Sequence, residues 1–247
     1  MSDDAIPAAT LVVMRPAAPG RPEVLVVERA ARMAFAGGMM VFPGGRVDAE
    51  DHILAAALGH PDEAGKVTAI RETLEETGVA VALGPVGPGR ALELQAALHS
   101  DKPFAELIVR EPLTPDLDAL TPFARWMPAF KQPRKFDTLF YLAAAPTGDW
   151  PPHPQQGECV GAEWIAAADL LDRIERGESG AIFPTKRNLE RIARFPDLAA
   201  AVADARAFSL ETIVPWVERR GEENHVCIPE GRGYPITSEP LATAFRA

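Results

Sequence analysis

The sequence predicts an α/β fold, and three observations carry that expectation. Thr10 to Met14 and Val24 to Glu28 are short apolar runs rich in β-branched residues, the composition of strands. The stretch ending Arg71-Glu72-Thr73-Leu74-Glu75-Glu76-Thr77-Gly78 has helical period, with Val67, Ile70 and Leu74 on one face and Glu72, Glu75 and Glu76 on another. Strand-like and helix-like stretches then follow one another as far as Phe208, with no internal repeat and no low-complexity linker to divide the chain.

Taken in order, the first two strands read as an antiparallel pair joined by the loop Pro16 to Pro22. Arg29, Arg32 and a glycine-bearing loop follow. The apolar run Met39 to Phe42 then leads into Pro43-Gly44-Gly45, expected as a sharp turn with two residues free to take positive φ, and into the acidic turn Asp48 to Asp51. His52 to Pro61 is alanine-rich and reads as a short helix. Gly78 stops the glutamate helix, because glycine readily takes the left-handed conformation past a helix end. Ala80 to Leu83 reads as a strand and Ala91 to His99 as a helix. A second helix is expected over Pro103 to Val109, with Asp101 as its N-cap. Phe123 to Met127 and Phe136 to Ala143 read as strands across a loop bearing Lys131, Arg134 and Lys135. After the proline-rich loop Pro146 to Pro154 come a strand over Glu158 to Ile165 and helices over Ala167 to Arg176, Lys186 to Phe195 and Asp197 to Phe208. The segment His225 to Thr237 reads as an ordered loop or hairpin.

A chain of 247 residues, 47% hydrophobic and 24% charged, is long enough to bury a substantial core. Its net charge of -10, from 35 acidic and 25 basic residues, argues against broad nucleic-acid or membrane binding. It does not argue against a phosphorylated small molecule held through metal ions and local basic groups. No apolar run approaches the roughly 18 residues of a membrane span, and Met1-Ser2-Asp3-Asp4 lacks the basic start of a signal peptide, so a cytoplasmic enzyme is expected. Cys159 and Cys227 have no partners at zinc-ligand spacing, and neither a disulfide framework nor a zinc site is expected.

The chemistry centres on Glu72, Glu75 and Glu76, spaced i, i+3, i+4 and therefore gathered on one helical face. Clustered carboxylates drawn partly out of water repel one another, and a hard divalent cation relieves that repulsion. All-oxygen ligands favour Mg2+ or Mn2+ over zinc. The competing reading is a solvated acidic helix face, where the like-charge cost is only about 0.2–0.5 kcal/mol per pair. Arg29 and Arg32 are candidates for a diphosphate clamp or a solvated strand end. Arg134 and Lys135, with Lys131, are candidates for a remote phosphate or a solvated loop. Glu158 and Glu163 are candidates for a further metal ligand or base, with Glu158 preferred. The stretch Arg90 to Leu113 reads as a lid or specificity insert, or else as extra packing or a dimer surface.

At these residues the sequence resembles the Nudix hydrolases, whose signature is Gly, five residues, Glu, seven residues, then Arg-Glu-apolar-x-Glu-Glu-x-Gly-apolar. Gly45, Arg71, Glu72, Glu75, Glu76, Gly78 and Val79 match, and Thr73 stands at an apolar position. Asp51 replaces the first glutamate, and residues 52–70, nineteen of them, fill a spacer of seven. That insertion, Val24 to Arg29 leading into Val41 to Gly45, and Arg134 to Tyr141 resemble the organellar-type coenzyme A diphosphatase subgroup. The resemblance implies a mixed sheet sandwiched by helices, in one domain over 1–247 with insertions near 52–66 and 90–113 and a C-terminal extension at about 197–247. It further implies hydrolysis of a nucleoside diphosphate linked to another group, with coenzyme A or an acyl derivative first and nucleotide sugars, dinucleoside polyphosphates and NADH as alternatives. Glu72, Glu75 and Glu76 would hold Mg2+ or Mn2+, with Glu158 as a further ligand. Arg71 would orient a glutamate, one of the glutamates or Asp51 would take the water's proton, and Gly44 and Gly45 would let backbone approach. A homodimer is plausible on the same resemblance. A non-catalytic ligand-binding module of this fold and an acidic-helix interaction protein are the rival readings.

Overall fold

A computed structural model describes residues 5–33, 36–110, 113–128 and 135–244. The chain begins with strands β1 (Ile6–Ala18), β2 (Arg21–Arg29), β3 (Met39–Val41) and β4 (Gly44–Arg46), then helices α1 (Ala49–Ala57) and α2 (Ala64–Thr77). Next come β5 (Leu83–Gly84), α3 (Pro88–Leu98), α4 (Phe104–Arg110), β6 (Thr114–Pro115), β7 (Thr121–Trp126), β8 (Phe136–Ala144) and β9 (Cys159–Ala166). The remainder comprises α5 (Ala167–Glu175), β10 (Gly180–Ala181), α6 (Phe183–Ile192), α7 (Leu198–Ala207), β11 (Trp216–Arg220), β12 (Glu223–Cys227), β13 (Ser238–Pro240) and α8 (Leu241–Ala244).

Eight strands form one mixed sheet in the order β10-β3-β2-β1-β8-β7, with β4 also paired to β1 and β9 to β2. β1 runs parallel to β8 and antiparallel to β2 and β4. Alternation along β1 divides its side chains between two cores. Leu11 and Val13 pack with Val67, Ile70 and Leu74 of α2, while Val12 and Met14 pack with Leu170, Leu189, Ile192 and Ala201 of α5, α6 and α7. The sheet is thus covered by helices on both faces, an α/β/α sandwich. Among the described residues no helix is long and apolar enough to cross a membrane.

Several local expectations change. The loop expected over 16–22 shrinks to a two-residue turn, in which Gly20 has φ 71°. The expected strand over 80–83 is interrupted by Ala82 at φ 50°, leaving only Leu83–Gly84 paired, to Thr114–Pro115. Asp101 does not cap α4. It has φ 57° in the turn that ends α3, where its N–H meets the Leu98 carbonyl. Gly44 and Gly45 are not a positive-φ turn but belong to β4, and close approach is what requires them. A Cβ on Gly44 would strike the Ala9 carbonyl, and one on Gly45 would strike the Glu72 carboxylate. Downstream, β11 and β12 form a hairpin that begins before the segment expected from sequence.

Candidate active site

α2 ends with Gly78 in the left-handed conformation at φ 69°, as its sequence requires. Val67, Ile70 and Leu74 are fully buried against the sheet, which forces the glutamate face toward β4 and the loops around it. Glu76 is 2% exposed, while Glu72 and Glu75 are partly buried.

Arg71 organises this face. Its guanidinium makes a bidentate pair with Asp51, with Nε to Oδ1 at 3.0 Å and Nη2 to Oδ2 at 2.9 Å. Nη1 donates to Glu72 at 2.8 Å and to Glu75 at 3.4 Å, and Nη2 reaches the Arg46 carbonyl at 3.2 Å. Burial opposes the charge on Arg71, but Asp51 and Glu72 outweigh it and raise its pKa. Asp51 is itself 2% exposed and accepts from Thr68 Oγ1 at 2.7 Å and from the Asp48 N–H at 3.0 Å, which closes a capping box at the start of α1. With three donors on Oδ2 and the Arg71 Nε on Oδ1, Asp51 is an anchor for Arg71.

The glutamates resist ionisation here. Burial pushes Glu72 up to about 7, against the attraction of Arg71, and raises Glu75. Burial and the Glu72 charge raise Glu76 well above the ordinary range, although the Gly44 N–H donates to it at 3.1 Å and Arg29 lies 3.7 Å away. One guanidinium shared among Asp51, Glu72 and Glu75, with a long ion pair at Glu76, leaves carboxylate charge uncompensated in a partly desolvated, all-oxygen site. That donor set fits a hard divalent cation. Among the described residues no three ligating side chains converge on one point, because Arg71 draws Glu72 and Glu75 to itself.

Glu158 lies in the turn before β9 with its side chain exposed, close enough to raise the pKa of both Glu75 and Glu76. Glu163 is instead gripped by Arg173, at 2.7 and 3.1 Å. Arg32 donates to the Gly157 carbonyl at 2.7 Å, so it holds the Glu158 turn. Lys135 sits immediately before β8, where its carbonyl accepts from the Ile6 N–H. Arg134 lies outside the described residues.

A cavity of about 380 Å³ opens beside Glu75 and Arg71. Arg46, Leu54, Leu98, Lys102 and Phe104 are among its lining residues, so the junction between α3 and α4 forms one wall. Lys102 and Gln95 stand outside the sequence motifs. For Gln95 a signal exists, since it is the polar member of an otherwise apolar stripe with Ala91, Leu94 and Leu98. Its amide donates to the Glu75 and His153 carbonyls.

The NUDIX domain family matches residues 5–185. The human acyl-coenzyme A diphosphatase NUDT19 is 26% identical over 263 residues, covering 81% of this chain and 69% of the relative. The chicken (Gallus gallus) protein of the same name is 26% identical over 283 residues, covering 85% of this chain and 73% of its own. The crystal structure of a NUDIX hydrolase from Alicyclobacillus acidocaldarius superposes with a TM-score of 0.70 at 32% identity, covering 82% of this chain and 97% of that one. With the family match spanning most of the chain and the glutamate helix folded as its pattern requires, the chain belongs to the NUDIX domain family, as a Nudix hydrolase.

Proposed function

We propose that this hydrolase is a divalent-metal-dependent diphosphatase that cleaves a nucleoside diphosphate linked to another group, with coenzyme A or an acyl-coenzyme A as its leading substrate. The observation that carries the reading is the desolvated set Glu72, Glu75 and Glu76, under-compensated by Arg71 and Arg29. The choice of coenzyme A draws support from the names of the human and chicken relatives.

Mg2+ or Mn2+ bound by Glu72, Glu75, Glu76 and Glu158 would supply Lewis acidity toward the diphosphate and lower the pKa of an attacking water. Arg71, locked by Asp51, keeps Glu72 and Glu75 oriented. Gly45 leaves the Glu72 carboxylate open to close approach, and the Gly44 N–H fixes one oxygen of Glu76. The part of the substrate beyond the scissile bond extends into the cavity at Leu98, Lys102 and Phe104. Water adds to one phosphorus and the bridging P–O bond breaks, giving two phosphomonoesters. From coenzyme A these are a phosphopantetheine and adenosine 3′,5′-bisphosphate.

Product analysis with Mg2+ and a panel of coenzyme A, NADH, a nucleotide sugar and a dinucleoside polyphosphate tests the reading. Cleavage of coenzyme A to those two products supports it. Cleavage of another compound alone replaces the substrate, and metal-dependent binding without turnover of any replaces the enzyme with a ligand-binding module.

A further inference from the structure

The last carbonyls of an α-helix lack intrahelical donors and must be met from elsewhere. In α2 these belong to the residues of the glutamate cluster, and two remote segments meet them. The Glu75 carbonyl accepts from Gln95 Nε2 at 3.0 Å and pairs with His99 Nε2 at 2.9 Å, both from the α3 side. The Glu76 carbonyl accepts from the Gln155 N–H at 3.0 Å and the Thr77 carbonyl from the His153 N–H at 2.7 Å.

Gln95 joins the two segments. It is 6% exposed, and Nε2 also donates to the His153 carbonyl at 2.9 Å. Both partners are backbone acceptors, which fixes the amide orientation and occupies both of its N–H groups. Neither a leucine nor a glutamate supplies those donors. The segment so tied runs on to Glu158, whose carbonyl accepts from the Ala30 N–H at 2.7 Å, next to the Gly157 carbonyl held by Arg32 at 2.7 Å. The turn bearing Glu158 is therefore fastened at one end to α2, by the His153 and Gln155 N–H groups and through Gln95, and at the other to the end of β2.

We propose that Gln95 is a positioning residue for the metal centre, and that α3 sets the placement of Glu158 against Glu75 and Glu76. This rests on the metal-dependent reading above. α3 is then an integral part of the catalytic apparatus, in place of added packing.

The test measures Mn2+ affinity by calorimetry, alongside thermal unfolding, for wild type, Gln95→Leu, Arg32→Ala and Leu94→Ala. Gln95→Leu is expected to weaken Mn2+ binding by roughly 10-fold or more, the usual consequence of removing a group that orients ligands. Arg32→Ala, a change at an exposed side chain that leaves the core intact, shifts affinity in the same direction with little change in Tm. Leu94→Ala lowers Tm and leaves affinity unchanged. In a Glu158→Gln background, Gln95→Leu has no further effect on affinity, because its influence passes through that carboxylate. Wild-type affinity in both Gln95→Leu and Arg32→Ala overturns the inference, as does affinity that merely follows Tm across all variants. A wild-type protein that binds no Mn2+ removes the metal-dependent reading itself.

Discussion

Asp51→Asn separates two roles for the carboxylate that stands in the first acidic position of the signature. Asp51 makes two charged hydrogen bonds to Arg71, whose side chain is only 12% exposed, and accepts two more from Thr68 and Asp48. An asparagine keeps one acceptor oxygen but turns an NH2 toward donors and leaves Arg71 without its main counter-charge. Removing one partner of a buried ion pair costs about 3–5 kcal/mol. For a chain of this size each kcal/mol lowers Tm by about 2–4 °C, so a fall of roughly 6–20 °C is expected by calorimetry. Activity measured well below both transitions falls less than in Glu76→Gln, since Arg71 retains Glu72. A variant with wild-type Tm and abolished turnover would refute the anchoring argument and place Asp51 on the reacting atoms.

Three further outcomes follow from the same geometry. Gly45→Ala places a methyl against the Glu72 carboxylate, so metal-dependent turnover is expected to drop while Tm changes by only a few degrees; unchanged turnover would contradict the close approach. Glu72 has its pKa raised from 4.5 to about 7, so its contribution to stability is complete below about 4.5 and is lost as pH rises through about 7. Metal-free protein should therefore lose Tm across that window while Mg2+ restores it progressively, and a metal-induced shift equal at about pH 5 and about pH 8 would contradict this. Lys102 lines the cavity, its backbone N–H donating to the Ala97 carbonyl at 3.2 Å, so Lys102→Glu should raise KM for a substrate carrying a remote phosphate more than kcat falls. An equal KM for substrates with and without that phosphate, in wild type as in variant, would contradict it.

Features written in local pattern were legible in the sequence. The buried stripe Val67, Ile70 and Leu74, the stop at Gly78 and the apolar run Thr10 to Met14 in β1 each depend on residues within a turn or a strand. Contacts across the chain were not legible. Nothing near Gly44 and Gly45 in sequence shows that Ala9 and Glu72 press against them, so a turn was the natural expectation where the structure has an edge of the sheet. Likewise Asp51 and Arg71 lie twenty residues apart, and only the packing of α1 on α2 shows that the aspartate holds the guanidinium bidentately. Spacing does not choose between Glu158 and Glu163, and only the fold shows that Arg173 pairs with Glu163 while the Glu158 charge raises the pKa of Glu75 and Glu76. Glycine, proline and period thus reveal the elements, whereas charge pairing between elements has no local signal.

In the proposed function Glu72, Glu75 and Glu76 hold a divalent cation for diphosphate cleavage. The most direct test is the rate of coenzyme A cleavage by wild type, Glu75→Gln and Glu76→Gln, each with Mg2+ and with chelator. Glu76→Gln keeps an oxygen for the Gly44 N–H and removes a charge that burial disfavours, so its Tm should equal or exceed that of wild type. The account predicts metal-dependent cleavage by wild type and a loss of roughly a hundredfold or more in both variants, with the fold intact. Cleavage that survives chelation, or that survives both substitutions, would contradict it.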